Sequence, residues 1–453
     1  RERDYAYAGS FYAFSIWIGL GLIELFKTVN KYLSEISSSI LVTLLCLGVP
    51  TLMAAQNWDD HNRSERYAAR DFGYNYLASC RQNAIIFTNG DNDTFPLWYN
   101  QEVEGNRTDV RVCNLSYLQT DWYIDQMKRQ AYESDPLPIS WKKEDYLSGK
   151  NEVVQVEDVI KQPLQLKTVI DFILSTDSYT KIDGESFIPT KEVYLPIDPE
   201  EVLKTGTLKP ERAGEIIPQI DISLKNRLTK SELMVLEMLK ENKWERPMYF
   251  AVTVGDDYYL GLTDHFELTG LAYQILPIGV KGAGPGVNVD EMYDNVMNKF
   301  RFGGVNNPKV YLDENIVRMC KTHRMFITQL AGALIAKNDS VRAEKVLDYC
   351  NEMIPGTSVR HDYSSLMMGQ YYYQLQQPAK GDKILEQIAN DCVEYLNWSL
   401  QLSPTQQNSI TSEMGNNMAI LNEVLRIFDE AERKDLANKY FPYYVQYSKH
   451  FRM

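Results

Sequence analysis

The sequence predicts two transmembrane helices over residues 1–58, an extracytoplasmic α/β domain with a mainly parallel sheet over 59–302, and an all-α, tetratricopeptide-like tail over 303–453. Three observations carry that division. Two apolar stretches near the start have bilayer length. Short apolar runs then alternate with acidic turns and amphipathic helices. Beyond residue 303 the helical periodicity is almost unbroken.

A chain of 453 residues exceeds one ordinary core. Its 44% hydrophobic and 24% charged residues are the proportions of a protein that buries an interior. The net charge of -14 excludes nucleic acid as the expected partner, because a polyanion needs a basic face to displace its counterions. The same charge holds the bulk of the chain off an anionic lipid surface. The 30 tyrosines suit carbohydrate or peptide sites, but burial in cores is their commoner use. The opening Arg1-Glu2-Arg3-Asp4 has neither an initiator Met nor a signal-peptide pattern, so a piece of a longer protein is expected.

Residues 10–26 (SFYAFSIWIGLGLIELF) and 37–56 (SSSILVTLLCLGVPTLMAAQ) approach the ~20 residues that cross a hydrocarbon layer. Tyr7, Tyr12 and Trp58 flank them as interfacial anchors. The alternative is a pair of buried core helices. Lys27 and Lys31 in the connecting loop place that loop in the cytoplasm and everything after Trp58 outside, which in a bacterium means the inner membrane and the periplasm. Cys46, Cys80, Cys113, Cys320, Cys350 and Cys392 form no zinc or redox spacing. Free buried thiols are expected, with a Cys320–Cys350 bridge across a helical hairpin as the alternative.

The α/β region is read from three strand-loop-helix units. Residues 84–88 (AIIFT) form a strand buried on both faces. Asn89-Gly90-Asp91-Asn92-Asp93 is a turn, and a helix capped by Asp93 or Thr94 follows, with Pro96 in its first turn. Residues 110–114 (VRVCN) repeat the pattern, with Ser116 in the loop and Thr120 capping a helix that carries Asp121. Residues 231–244 form a helix and 248–254 (MYFAVTV) a strand, followed by Asp256 and Asp257. Segments 192–198 and 216–224 are proline-interrupted edge strands, 271–278 is a further apolar strand, and the glycine-rich 279–286 is a loop.

Parallel sheets bind ligands beyond the carboxyl ends of their strands. Those ends carry Asn89, Asp91, Asn92, Asp93, Asn114, Ser116, Asp121, Asp256 and Asp257, and Trp98 stands on the first helix; these ten are the candidate ligand-binding residues. Asp91 and Asp93 are also the candidate metal ligands, for a divalent cation such as Mg or Ca. The plainer alternative is that they stabilise a turn and cap a helix.

The tail reads as six amphipathic helices beginning at residues 316, 340, 363, 380, 410 and 436. Gly332 and Gly369 stand at the small-residue position of successive first helices, near the ~34-residue period of tetratricopeptide repeats. Such stacks offer a concave face for peptides or neighbouring domains; the alternative is an ordinary helical bundle.

The stretches RERDYAYAGSFYAFSIWIGLG, NWDDHNRSERYAARDFGYNYL, IIFTNGDNDTFPLWYNQEVEGNRTDVRVCNLSYLQTDWYI and ERPMYFAVTV resemble the C-terminal half of a membrane-protein family common in Bacteroidetes. It is the family of domain of unknown function 2723, also classed as glycosyltransferase family 117. The resemblance implies a polytopic transferase of the GT-C type, similar to protein mannosyltransferases, acting on a lipid-phosphate-linked sugar outside the cytoplasm. It further implies that the catalytic acid precedes Arg1. The expected role is therefore a non-catalytic module that binds a protein or glycan acceptor, or docks a partner, beside membrane lipid and the enzyme's own upstream membrane region. Two alternatives stand beside it: a metal-dependent hydrolase or phosphotransferase using Asp91, Asp93 and Asp256, and an envelope-complex scaffold.

Overall fold

The computed structural model describes residues 4–58, 62–279 and 284–451, so part of the glycine-rich loop at 279–286 lies outside the described residues. The chain divides into two units, Arg1–Ser64 and Glu65–Met453.

In the first unit one helix spans Ala8–Val29, and a second covers Glu35–Asn57 in two segments, Glu35–Cys46 and Gly48–Asn57. The interruption falls at Leu47, just ahead of Gly48 and Pro50, where proline has no N–H to offer the Cys46 carbonyl. Ser34 caps the second helix, its hydroxyl accepting from the Ser37 N–H at 3.2 Å. Buried residues make up 0% of the most apolar stretch of the first helix and 11% of that of the second. Core helices of a soluble protein would be mostly buried. Apolar, exposed and long enough to cross a bilayer, these two helices point to a membrane-anchored protein.

In the second unit the central element is a six-stranded sheet. From one edge its strands run Gly286–Val287, Phe266–Leu268, Ala272–Ile275, Met248–Ala251, Ile85–Thr88 and Arg111–Asn114. Ile85–Thr88 is parallel to both its neighbours, with Ile86 opposite Val112 on one side and Tyr249 on the other. The three strands read from the sequence are thus parallel and adjacent. Ile85, Ile86, Phe87 and Phe250 are wholly buried, and burying each contributes about 1.5–3 kcal/mol.

The sheet is mixed, not mainly parallel as the sequence predicts. Ala272–Ile275 runs antiparallel to both Met248–Ala251 and Phe266–Leu268. The reason is the length of a connection. Only Thr269, Gly270 and Leu271 separate two of these strands, and a parallel crossover needs about a dozen residues or more. Gly270 turns the chain with φ +154 and lies against Ser79, where a Cβ would fall 2.2 Å from the hydroxyl oxygen. The proline-bearing segments form a separate small sheet, Glu192–Pro196 pairing antiparallel with Gln219–Ser223.

The C-terminal region is helical, beginning with Glu314–Ala336 and Ser340–Met353 and ending with Lys434–Phe451. The expected glycines do mark close crossings. A Cβ on Gly332 would meet the Tyr371 hydroxyl at 2.3 Å, and one on Gly369 would meet Leu385 at 2.6 Å. All six cysteines are free thiols, so Cys320 and Cys350 are buried and unbridged. The helix Glu314–Ala336 packs on the sheet region through His323, whose ring lies 4.0 Å from that of Phe72. Its Nε2 is 3.3 Å from the Asn75 amide nitrogen. Arg318, Met319 and Thr322 of the same helix face residues 89–93, just past the carboxyl end of Ile85–Thr88.

Candidate rim cavity

Strand Ile85–Thr88 delivers the chain to Asn89 and Gly90, and a helix starts at once, Asp91–Glu102. It begins before the expected cap: Gly90 holds the N-cap position, while Asp93 and Thr94 are already helical. With no side chain at the cap, Asp91 and Asp93 are left in the first turn, where the unpaired N–H groups favour carboxylates. Behind this turn, Gly73 lies so near Pro96 that a Cβ would sit 2.4 Å from its carbonyl oxygen. Asn100 donates to the carbonyls of Arg70 and Pro96 at 2.7 and 2.8 Å, fixing the helix Ala68–Ala78 to Asp91–Glu102.

Asp93 is 6% exposed, and its two carboxylate oxygens differ in kind. Oδ2 accepts from the Thr253 hydroxyl at 2.7 Å and the Asn89 N–H at 3.4 Å. Oδ1 is buried and, among the described residues, has no hydrogen-bond partner. A buried acceptor left in that state costs about 1–3 kcal/mol. Asp93 lines a cavity of about 400 Å³ whose rim side is formed by residues 89–93 and Thr253. Tyr76 contributes a buried hydroxyl bonded to Thr253, and burial raises its pKa. The opposite wall is Arg318, Met319 and Thr322 of the helix Glu314–Ala336. Arg318 donates to Asn315 Oδ1 at 2.9 Å. The cavity therefore mixes hydroxyls, amides, two carboxylates and one guanidinium, a set that can donate and accept to the same ligand.

The ten residues expected at this rim separate into three groups. Asn89, Asp91, Asn92 and Asp93 line the cavity. Asn114 and Ser116 stand behind it as latches. Asn114 Nδ2 donates to Thr94 Oγ1 at 2.9 Å and the Asn89 carbonyl at 3.2 Å, and Ser116 Oγ is 2.8 Å from Asn89 Oδ1. Trp98, Asp121, Asp256 and Asp257 lie outside the lining. Trp98 stacks between Phe95 and Tyr117 at 5.6 and 6.1 Å. Asp121 starts the helix Asp121–Met127, accepting from the Trp122 N–H at 2.7 Å. Asp256 and Asp257 begin a 3-10 turn beyond Thr253, and the Asp257 carbonyl accepts from Lys225. The chain turns away after Thr253, so that residue, not the two acids, reaches Asp93.

The expected cation site does not fit these residues. Among the described residues no group of three or more His, Cys, Asp or Glu side chains gathers as a ligand set. Mg and Ca take about six to eight oxygen ligands. Here Asp93 Oδ2 is already engaged and Arg318 shares the space, so no step is assigned to a metal.

Thr253, Tyr76, Arg318, Met319 and Thr322 were not foreseen. Arg318 and Thr322 are four apart and share a helix face, which the sequence displays. What that face meets is decided only by folding.

Comparison with curated proteins gives no match, and none arises among solved structures. Just under half of the chain, residues 69–293, matches the family model described as TMEM260-associated domain 2, a membrane-protein-associated domain, and that stretch contains the whole rim side of the cavity.

Proposed function

We propose that this chain is the non-catalytic, periplasmic C-terminal module of an inner-membrane glycosyltransferase of family 117, and that its rim cavity binds the protein or glycan acceptor of a lipid-linked sugar. The observation that carries the proposal is the Asp93 carboxylate, one oxygen bonded and the other buried, without a protein donor, beside a cavity of about 400 Å³. A ligand hydroxyl is the missing donor. Donors and acceptors interleave around it, which suits a neutral, hydroxyl-rich group better than an anion or a hydrocarbon. The two exposed apolar helices and the similarity to a membrane-associated domain support the tethered setting.

The test is a binding titration of the full chain in lipid nanodiscs with monosaccharides and glycopeptides, beside Asp93→Ala. Removing the anchor is expected to weaken saccharide binding at least about 10-fold, the loss of one charge-assisted hydrogen bond. Absence of saccharide binding sinks the proposal. So does Mg-dependent phosphoester turnover that disappears in Asp93→Ala, which would mark a hydrolase. A stable protein partner captured without any saccharide dependence would mark a scaffold.

A further inference from the structure

The cavity beside Asp93 is the end of a longer trough. It shares Asp91, Asn92, Arg318 and Met319 with a second cavity of about 310 Å³. That one shares Arg66, Ala69, Phe95 and Pro96 with a third of about 400 Å³, which reaches Tyr99 and Glu104. The three follow the helix Asp91–Glu102 from its first turn onward. Tyr99 stands eight positions beyond Asp91, about 12 Å of helix, so with the width of the end cavities the trough holds roughly three pyranose rings in line.

Resting on the reading of the rim cavity as a hydroxyl-binding site, we propose that this trough binds a linear oligosaccharide of about three units, Asp93 anchoring one end and Phe95 stacking under a middle ring. Phe95 is 47% exposed although aromatic, and lines the second and third cavities. Its ring is braced by the Trp98 stack, so an apolar face is presented at little cost in side-chain freedom. Tyr67 and Tyr99, 51% and 43% exposed, add further rings at the far end.

Between the rings the polar groups are paired ions. Arg66 bridges to Asp313, and Arg70 Nε is 2.8 Å from Asp71 Oδ1. Such pairs offer fixed donors and acceptors with little net charge, matching a ligand that has apolar C–H faces and hydroxyl edges. An extended polypeptide is a poorer fit. Its main chain is recognised by adding to a sheet edge, and the trough lies between helices whose backbone is bonded internally: Asp91–Glu102 and Glu314–Ala336 along its first two cavities, Asp91–Glu102 and the start of Ala68–Ala78 at its far end. An amphipathic helix would need an apolar groove instead.

The test uses the full chain in nanodiscs and linear series of mannose, glucose and N-acetylglucosamine, one to four units long, followed by calorimetry. For the best-bound sugar, affinity is expected to rise about 10-fold from one unit to three and to level off at four, since each added ring finds a new contact until the trough ends. Phe95→Ala should erase most of that length advantage, and Phe95→Tyr should restore it. Asp93→Ala should weaken every length. Equal affinity for one and three units overturns the trough while leaving the rim site standing. No binding of any saccharide overturns both, and preferential binding of unglycosylated peptides overturns the oligosaccharide.

Discussion

Arg324 offers the sharpest test of how the helical region is held. It is wholly buried and, among the described residues, bonds to no carboxylate. Its guanidinium donates instead to the carbonyls of Ile354, Val359 and Arg360 at 2.9, 2.7 and 3.2 Å, and to Ser365 Oγ at 3.3 Å. Ile354 is the C-cap of the helix Ser340–Met353, so this side chain satisfies a helix end that water does not reach. Arg324→Met keeps the volume and removes every donor. The buried carbonyls of Ile354 and Val359 left alone cost about 1–3 kcal/mol each, and that of Arg360, on an exposed residue, costs less. Relief of the buried charge offsets part of that, leaving about 3 kcal/mol. Cys320 and Cys350, both 0% exposed, report the loss directly. Pulse labelling of the full chain in nanodiscs with a thiol reagent, read peptide by peptide, should show labelling at both accelerated roughly 100-fold. A change under about 3-fold would refute the argument, because the carbonyls would then have found other partners or water. The perturbation also bears on the cavity, since Arg318, Met319 and Thr322 stand on the same helix.

Acid should loosen the same region. Burial lowers the pKa of His323 to about 4 and that of His361 to about 3, where the Arg324 charge adds to the effect. Both are depressed below the unfolded value, so the neutral rings stabilise the fold above pH ~6.5 and that stability is lost as pH falls. For His323 the geometry agrees: Nδ1–H donating to the Met319 carbonyl at 2.8 Å leaves Nε2 to accept from Asn75, and a second ring proton would face an N–H donor. The two together should remove about 2.5 kcal/mol between pH 7.5 and 5.5. A flat melting temperature over that interval would contradict it, and His323→Phe should halve the slope. Gly73→Ala places a methyl against the Pro96 carbonyl and should cost about 1–3 kcal/mol by overpacking. Because Pro96 lies in the helix bearing Asp91 and Asp93, saccharide affinity should fall with it; unchanged stability would show that the helices separate freely.

Much of this protein is written in local pattern. Two apolar stretches of bilayer length, the run AIIFT, the repeat VRVCN and the strand in MYFAVTV each declare themselves through neighbouring residues. Their parallel pairing follows because the intervening helices leave chain enough for crossovers. The turn at Asn89-Gly90-Asp91 was likewise legible as the place where a strand hands over to a helix. The divided roles of its neighbours were not. Nothing local distinguishes Asp93, held by Thr253 across 160 residues, from Asp256, which follows a strand in the same way and stays outside the cavity.

The sequence by itself determined where strands and helices form and which polar turns end the strands, because propensity and periodicity act over a few residues. Tertiary structure alone decided that the sheet turns antiparallel beyond Met248–Ala251, that Asn114 and Ser116 serve as latches, and that Arg318 and Thr322 close the cavity from a helix more than two hundred residues away. The physical reason is that burial and hydrogen-bond completion are set by what the folded chain brings alongside, and the acceptor at Asp93 Oδ1 is defined only once its surroundings are in place.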